Sequence, residues 1–226
     1  MNPSTVRRYI VLKSVSLPTA VLADAVTTQA RRTCVSPSTP SAVNRKVRSA
    51  RTTWSIDPTH SNVEFAVRHL MITTVKGRFT AVEGTVVLDE ANPAASAAEI
   101  TVQVASVDTR EPQRDAHLRS ADFFDVEKYP TLTFRSSGAR DVTADGFTLD
   151  GDLTIHGVTR PVTLEVVHEG RARDPWGGER AGYAATTRIK RSDFGLTWNQ
   201  LLETGGLAVS DEVKISLDVE LVKKNG

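Results

Sequence analysis

The residues in this chain best suited to chemistry are its five histidines, His60, His69, His117, His156 and His168. Histidine is the commonest metal ligand and the side chain that titrates nearest to neutral pH. None of the five stands at a recognised zinc-ligand spacing, the chain contains no HExxH sequence, and its only cysteine is Cys34. We therefore predict hydrogen-bonded histidines and no metal site.

A second group of reactive side chains lies on one short segment. His117, Ser120 and Asp122 supply the residue types of a hydrolytic triad, and Asp122, Asp125 and Glu127 could pair as acid and base. All five stand between residues 117 and 127, and the chain has no GxSxG nucleophile elbow. Neither GxGxxG nor a P-loop sequence occurs. The sequence therefore predicts no enzyme and no cofactor.

Charge divides the chain into two parts. Residues 1–53, the basic tail, hold nine of the 28 Lys and Arg and one of the 27 Asp and Glu, which leaves the rest with 19 bases, 26 acids and a net charge of −7. An acidic body lacks the basic stripe that nucleic-acid binding needs, so no nucleic-acid partner is predicted. The basic tail has Tyr9 as its only aromatic residue and no sustained apolar period, which predicts disorder.

The basic tail has some features of a targeting segment. Arg7 and Arg8 precede a weak apolar run that ends at Ala23-Asp24-Ala25, but Lys13 and Pro18 interrupt it. We therefore predict a cytoplasmic protein, with export as the alternative if the segment is a working signal. A start codon assigned too far upstream would produce the same pattern. No stretch approaches the ~18 apolar residues of a membrane span, so no stable membrane insertion is predicted.

From Trp54 to Lys224 apolar and polar residues alternate in repeated runs. The clearest runs are 63–69, 100–105, 147–155, 162–168 and 213–221. Alternation with period two is typical of half-buried strands, and turn residues such as Asp145-Gly146 separate the runs. About eight strands joined by short turns predict an all-β domain over residues 54–224, an antiparallel meander that closes into a barrel.

Two segments interrupt the alternation. Pro112 to Tyr129 has apolar residues at helical spacing, with Ser120 or Asp115 as a possible N-cap. We predict a short helical insertion there, lying against one opening of the barrel. The second segment, Asn199 to Ser210, contains Gly205-Gly206 and predicts a flexible loop.

The alternation of residues does not determine what fills the interior of the barrel. An eight-stranded barrel is either filled by its own side chains or holds one ligand. A filled barrel would suit a stress-related protein whose surface binds a partner. His69 and His168 share the inward parity and could meet across the interior, which leaves an enzyme acting on a small amphipathic substrate as a further alternative. Periodicity cannot measure a cavity and does not decide among these.

Four segments are more specific than the alternation. In order they are IDPTHSNVEFAVRHL (56–70), RDAHLRSADFFD (114–125) followed by Tyr129-Pro130, LTIHGVTRPV (153–162) and RSDFGLTWN (191–199). Together they resemble the YceI-like family of polyisoprenoid-binding proteins, over essentially all of residues 54–224. The resemblance implies a lipocalin-like extended barrel whose tunnel holds a long prenyl chain, often as a homodimer. It also implies no established catalytic activity for most members.

The resemblance also implies site residues for a carrier or sequestering protein of a quinone or prenyl phosphate lipid. The implied ligand-binding residues are Phe65, Val67, His69, Phe79, Val102, Phe134, Phe147, Leu149, Phe194 and Trp198. Leu118, Phe123 and Phe124 would form a lid, although simple plugging of the barrel end is the alternative for the two phenylalanines. Arg114, His117 and Arg119 are head-group candidates, because a phosphate or ring oxygen at an opening calls for charge-assisted donors; ordinary solvation is their alternative.

Overall fold

The computed structural model of this protein describes residues 51–201 and 206–224. The basic tail, with its predicted disorder and targeting role, lies outside the described residues up to residue 50, and residues 51–53 belong to the first strand. Residues 202–205, within the predicted flexible loop, also lie outside them.

Within the described residues a single sheet contains eleven strand segments, all paired antiparallel. They are β1 (Arg51–Ile56), β2 (Asn62–His69), β3 (Thr73–Phe79), β4 (Val82–Asp89), β5 (Ala97–Gln103), β6 (Val107–Asp108), β7 (Thr131–Arg140), β8 (Gly146–Ile155), β9 (Val158–Arg173), β10 (Glu179–Lys190) and β11 (Val209–Lys223). Short 3-10 turns occupy Pro93–Ala95, Val104–Ser106 and Arg191–Phe194.

One α-helix, α1 (Pro112–Arg119), accompanies the sheet within the described residues. It has eight residues, far fewer than the ~20 that cross a bilayer, and the described part of the chain holds no helix suited to that role.

The eleven segments form eight barrel strands, because three pairs of segments are consecutive parts of one bent strand. β1 and β2 lie along the same edge of β11, through the pairs Ile56↔Leu221 and Asn62↔Asp218. β3 pairs with β2 and β4 pairs with β1, so β3 and β4 together form the second bent strand. β5 pairs with β4 and β6 pairs with β3, so β5 and β6 form the third. The barrel closes through the pairing of β1 with β11, which removes the sheet edge at β1, while β6 at the other end of the sheet pairs with β3. The predicted eight-stranded antiparallel barrel is confirmed.

The buried face of the alternating strands forms the core. Trp54, Val104, Val107, Phe194 and Leu221 are each at most 2% exposed. Full burial of one such apolar side chain contributes about 1.5–3 kcal/mol relative to its exposed state. This layer therefore stabilises the barrel without any contribution from a ligand.

The short helical insertion is present, but its predicted caps were wrong. Pro112 stands in the first turn, where its missing N–H leaves no bond unmade, and the carboxylate of Glu111 caps that turn. Asp115 lies buried inside α1 and accepts the backbone N–H of Thr109 at 2.9 Å. Ser120 stands at the C-terminal end, where its hydroxyl donates to a carbonyl of the last turn. The proline sets the helix start earlier than either predicted cap.

The loop between β10 and β11 is anchored at its base. The side-chain amide of Asn199 donates to the carbonyl of Val209 at 2.7 Å and its oxygen accepts the N–H of the same residue at 3.1 Å. The described end of the predicted flexible loop is therefore tied to the start of β11.

Candidate functional site

The barrel holds a cavity of about 380 Å³, here called the main cavity, which opens beside α1. Its walls are mostly apolar side chains from the inward faces of the strands, among them Val75, Leu132, Leu153, Val162, Ile189 and Ile215. The volume lies within the ~300–1,000 Å³ range of small-molecule sites. The barrel is therefore not solid at this end.

Most of the predicted site residues line the main cavity. They are Phe65, Val67, His69, Phe79, Val102, Leu118, Phe123, Phe124, Phe134 and Trp198, together with Arg114 and His117. Strand alternation placed the wall residues on the inward face, and α1 with the loop after it contributes Leu118, Phe123 and Phe124, whose role as a lid stays a prediction. Their contact with a ligand stays a prediction.

Phe147 and Leu149 point inward as predicted but lie outside the main cavity. They line a second cavity of about 310 Å³ at the opposite end of the barrel, here called the second cavity. β8 begins beside them and reaches the main cavity only at its other end, at Leu153 and Ile155. At ~3.3 Å per residue a ten-residue strand is roughly 30 Å long. Alternation determines the face of a residue and not its height in the barrel.

Phe194 and Arg119 also lie away from both cavities. Phe194 is 1% exposed in the core beneath the Arg191–Phe194 turn, so no surface remains for a ligand. The guanidinium of Arg119 donates to the carbonyls of Ala105 at 2.9 Å and Val107 at 2.6 Å. It fastens α1 to the barrel, which differs from the predicted head-group role.

The predicted meeting of His69 and His168 across the barrel was wrong. His69 lines the main cavity and His168 lines the second cavity. Both residues have the inward parity, but they stand at opposite ends of the barrel. No paired imidazole site arises from them.

Three aromatic rings that line the main cavity pack against one another. The imidazole of His117 meets Phe123 at 5.0 Å and Trp198 at 4.8 Å between ring centroids, both edge to face, and Phe123 and Trp198 are 5.1 Å apart. Contacts of this type contribute about 0.5–1.5 kcal/mol each beyond the area they bury. α1 and the loop after β10 are therefore held together over the opening.

The residues that resembled a triad do not form one. His117 Nε2 lies 3.0 Å from Asp122 Oδ2, while the hydroxyl of Ser120 donates to the backbone carbonyl of His117 at 2.8 Å. A nucleophilic serine would have to donate to the imidazole itself. The arrangement orients His117 at the mouth and does not activate Ser120.

Arg114 presents a positive charge to the main cavity. Its Nε donates to Thr109 Oγ1 and its Nη2 to the carbonyl of Thr109, both at 2.8 Å. Within the described residues no carboxylate forms an ion pair with it. Its charge is therefore available to a ligand.

Arg191 is a second cation of the same cavity, and the sequence analysis missed it. It is 7% exposed, lines the main cavity, and donates through Nη1 to the carbonyls of Leu196 at 2.6 Å and Trp198 at 2.8 Å. Burial lowers the pKa of its guanidinium, against the attraction of Asp211. Arg191 opens the RSDFGLTWN segment, but only the turn after β10 directs its side chain inward.

One cluster outside the cavities has metal-ligand residue types. Asp57, His60 and Glu220 bring ligand atoms within 4.8 Å of one another. The guanidinium of Arg180 already donates to both carboxylates, and to Asp174 at 3.0 Å. Hydrogen bonds from Thr59, His60 and Arg180 to its carboxylate lower the pKa of Asp57. The cluster is an ion-pair network that joins β10 and β11 to the turn after β1.

Comparison with known proteins gives consistent matches. Residues 54–221 match the family model of the YceI-like domain. Protein YceI of Escherichia coli O17:K52:H18 is 44% identical over 167 residues, which cover 73% of this chain and 83% of that protein. The structure of Burkholderia cenocepacia BcnA is similar with a TM-score of 0.64 at 27% identity, covering 73% of this chain and 98% of that one. A polyisoprenoid binding domain from Saccharophagus degradans shares the fold, with a TM-score of 0.57 at 18% identity over 76% of this chain and 99% of that one.

Proposed function

This chain belongs to the YceI-like family, and from that membership and the geometry of the main cavity we propose that it binds a long-chain isoprenoid, or a similar amphipathic lipid, inside the barrel. The protein holds the lipid for transport or sequestration and catalyses no reaction on it. The fold shared with the Saccharophagus degradans domain, which is described as polyisoprenoid binding, is compatible with this role.

The observation that carries the proposal is the lining of the main cavity, whose walls are mostly apolar and include the two cations Arg114 and Arg191 together with His117. A buried methylene group contributes ~0.8 kcal/mol, so each five-carbon isoprene unit contributes roughly 4 kcal/mol gross. Ordering of the chain and loss of overall motion reduce that total. The hydrocarbon therefore supplies affinity, and the polar groups orient the head.

The head group in this proposal is a quinone or a prenyl phosphate. Arg114 and Arg191 place two guanidinium groups on the same cavity, and Arg groups form short, strong bonds to phosphate oxygens. His117 adds a ring nitrogen at the mouth. The two cations favour the phosphate over the quinone.

The alternatives are less well supported. An enzyme using His69 or His168 is motivated only by their inward parity, and the two histidines line separate cavities. An interaction protein of the stress response depended on a filled barrel, whereas about 380 Å³ stays open. If the protein serves a stress response, the cavity favours a role through its lipid.

The proposal includes a homodimer, supported by exposed apolar side chains beside the main cavity. Met71 and Ile72 at the β2–β3 turn are 62% and 73% exposed, and Leu201 is 80% exposed. Clustered apolar side chains at a surface are typical of interaction sites. Light scattering on the full chain tests the assembly.

A cytoplasmic location is also proposed, with export as the alternative. Mass spectrometry of the mature N-terminus in cell fractions distinguishes the two locations.

The test of lipid binding is mass spectrometry of an organic extract from the purified full chain, followed by titration with an octaprenyl alcohol, its monophosphate and a quinone with the same chain. We expect a co-purifying prenyl lipid, or one-to-one binding of the added lipids with the phosphate tightest. Val213→Phe, which adds a ring inside the main cavity, weakens binding, while Lys214→Phe adds the same ring to the outer face as a control. No extracted lipid together with no binding of all three lipids would refute the proposal.

A further inference from the structure

The second cavity is a candidate site of its own. Its walls are the apolar side chains of Val86, Leu88, Phe147 and Leu149, and small residues such as Ala139 leave the space between them open. Val142 belongs to its rim and is 43% exposed, so the cavity meets solvent at the turn between β7 and β8. The cavity is thus accessible from the end of the barrel opposite α1.

A packed layer separates the second cavity from the main cavity, and the two share no lining residue. Phe134, Leu164 and Val166, which are 8%, 6% and 7% exposed, form one buried cluster. Leu153 and Leu217 of the main cavity and Phe147, Leu149 and Tyr183 of the second cavity pack against this cluster. A ligand in one cavity therefore does not have to occupy the other.

Four polar side chains of the second cavity, Glu90, His168, Arg171 and Tyr183, lie on β9, β10 and the turn after β4. The rings of Tyr183 and His168 are 5.2 Å apart, and Arg171 Nη1 donates to Glu90 Oε1 at 2.8 Å. The bond to Glu90 raises the pKa of Arg171, and the neighbouring Tyr183 adds to the rise. Arg171 thus stays charged and is paired with Glu90 and hydrogen-bonded to the side chain of Tyr183. Because a guanidinium can only donate to the phenol oxygen, the Tyr183 O–H and the ring nitrogens of His168 are the groups that can bond a ligand beside the apolar wall.

The local charges are balanced without a ligand. Arg171 is paired with Glu90 at 2.8 Å, and Asp89 with Arg51 at 3.2 Å. An added carboxylate or phosphate would approach Glu90 and Asp89, and among the described residues that line the cavity the one cation, Arg171, is already paired. This distinguishes the second cavity from the main cavity, whose two guanidinium groups have no carboxylate ion pair among the described residues.

We propose that the second cavity binds a short, uncharged amphiphile, with its apolar part against Phe147 and Leu149 and one hydroxyl or carbonyl oxygen hydrogen-bonded at Tyr183 and His168. The volume of about 310 Å³ corresponds to roughly ten groups the size of a water molecule, at ~30 Å³ each. This site goes beyond the long-chain site of the proposed function and does not depend on it.

The experiment uses 1-nonanol and nonanoate as probes, titrated into the delipidated, isotope-labelled full chain and followed by amide chemical shifts. We expect 1-nonanol to shift the amides of residues 147–149 and 183, and nonanoate to bind at least tenfold more weakly at neutral pH. Tyr183→Phe, which removes only the hydroxyl, is expected to lower the affinity for 1-nonanol about fivefold.

Cavity-filling variants assign the shifts to one site. Ala139→Phe fills the second cavity and is expected to lower the affinity for 1-nonanol at least tenfold. Val213→Phe, in the main cavity, is expected to change that affinity less than twofold. Ala184→Phe, on the opposite face of β10 from Tyr183, is the matched control. The proposal is overturned if 1-nonanol shifts only the amides around the main cavity, or if Val213→Phe and not Ala139→Phe lowers the affinity for 1-nonanol. It is also overturned if nonanoate binds as tightly as 1-nonanol. If the amide spectrum of Ala139→Phe shows that this variant does not fold, two other results decide the outcome. They are the affinity of Tyr183→Phe for 1-nonanol relative to the unchanged chain, and the map of amide shifts.

Discussion

The imidazole of His117 meets the indole of Trp198 edge to face, with ring centroids 4.8 Å apart. The two residues stand far apart in the chain, one on α1 and the other in the loop after β10. Their contact joins two segments that are not strands across the opening of the main cavity. Side-chain packing, and not strand pairing, therefore joins these two segments at the main cavity.

Trp198→Ala is expected to speed release of bound lipid about tenfold, because it removes ring contacts that together are worth roughly 1–2 kcal/mol. Stopped-flow release of a fluorescent prenyl lipid measures this rate. Trp176→Ala is the matched control, since Trp176 is 87% exposed in the turn between β9 and β10 and lines neither cavity. Equal release rates for the two variants would contradict a closing role for Trp198.

Arg114→Gln is expected to weaken binding of an octaprenyl monophosphate about tenfold and to leave the octaprenyl alcohol nearly unchanged, because it removes a cation from the mouth. Fluorescence titration with both lipids measures the difference. Arg135→Gln is the control, since that side chain is 75% exposed and pairs with Glu99. Loss of affinity for both lipids alike would indicate a structural effect of Arg114 and not head-group recognition.

Gly151→Ala is expected to lower the free energy of unfolding by about 1–3 kcal/mol through overpacking. A Cβ at this position would lie 2.5 Å from the ring of Phe134 and 2.6 Å from the carbonyl oxygen of Arg135. Gly138→Ala is the matched control, because its Cβ would have no atom within 4 Å, and we expect no loss of stability there. Urea unfolding of both variants tests the tight packing of Phe134 in the layer between the cavities.

Arg180→Met is expected to destabilise the protein at pH 7, and to do so less as the pH falls below 4. Hydrogen bonds, those of Arg180 among them, lower the pKa of Asp57 and of Asp174 below the ordinary value of 3.8. A lowered carboxyl pKa stabilises the fold above the unfolded-state pKa, and this contribution is lost as the pH falls through the folded-state pKa. The wild type should therefore lose more stability on acidification than the variant.

Urea unfolding between pH 3 and pH 7 measures this pH dependence. Arg188→Met is the control, since the Arg188–Glu212 pair is exposed, at 63% and 59%, and an exposed pair contributes little. Parallel pH curves for the wild type and Arg180→Met would show that the network does not stabilise the fold through its carboxylates.

Much of the architecture could be predicted because strand alternation is a local property. The inward parity of Val63, Phe65 and Val67 on β2 follows from their spacing, and the structure places all three on the main cavity. The N-cap of α1 is Glu111, and neither Ser120 nor Asp115, because Pro112 fits the first turn of the helix and places the cap just before it. Local chemistry predicted that a helix exists more reliably than where it begins.

The sequence by itself determined the all-β class, the inward face of each strand and, through four ordered segments, the family, because each of these depends on neighbouring residues. Only the tertiary structure decided how high each inward residue lies, which put Phe147 and His168 in the second cavity and His69 in the main cavity. It also decided that Arg191 turns inward and that Phe134 closes against Gly151. The height of a residue along the barrel and the packing of side chains across it depend on strand register and on contacts between residues far apart in the chain. The local alternation of the sequence does not determine either of them.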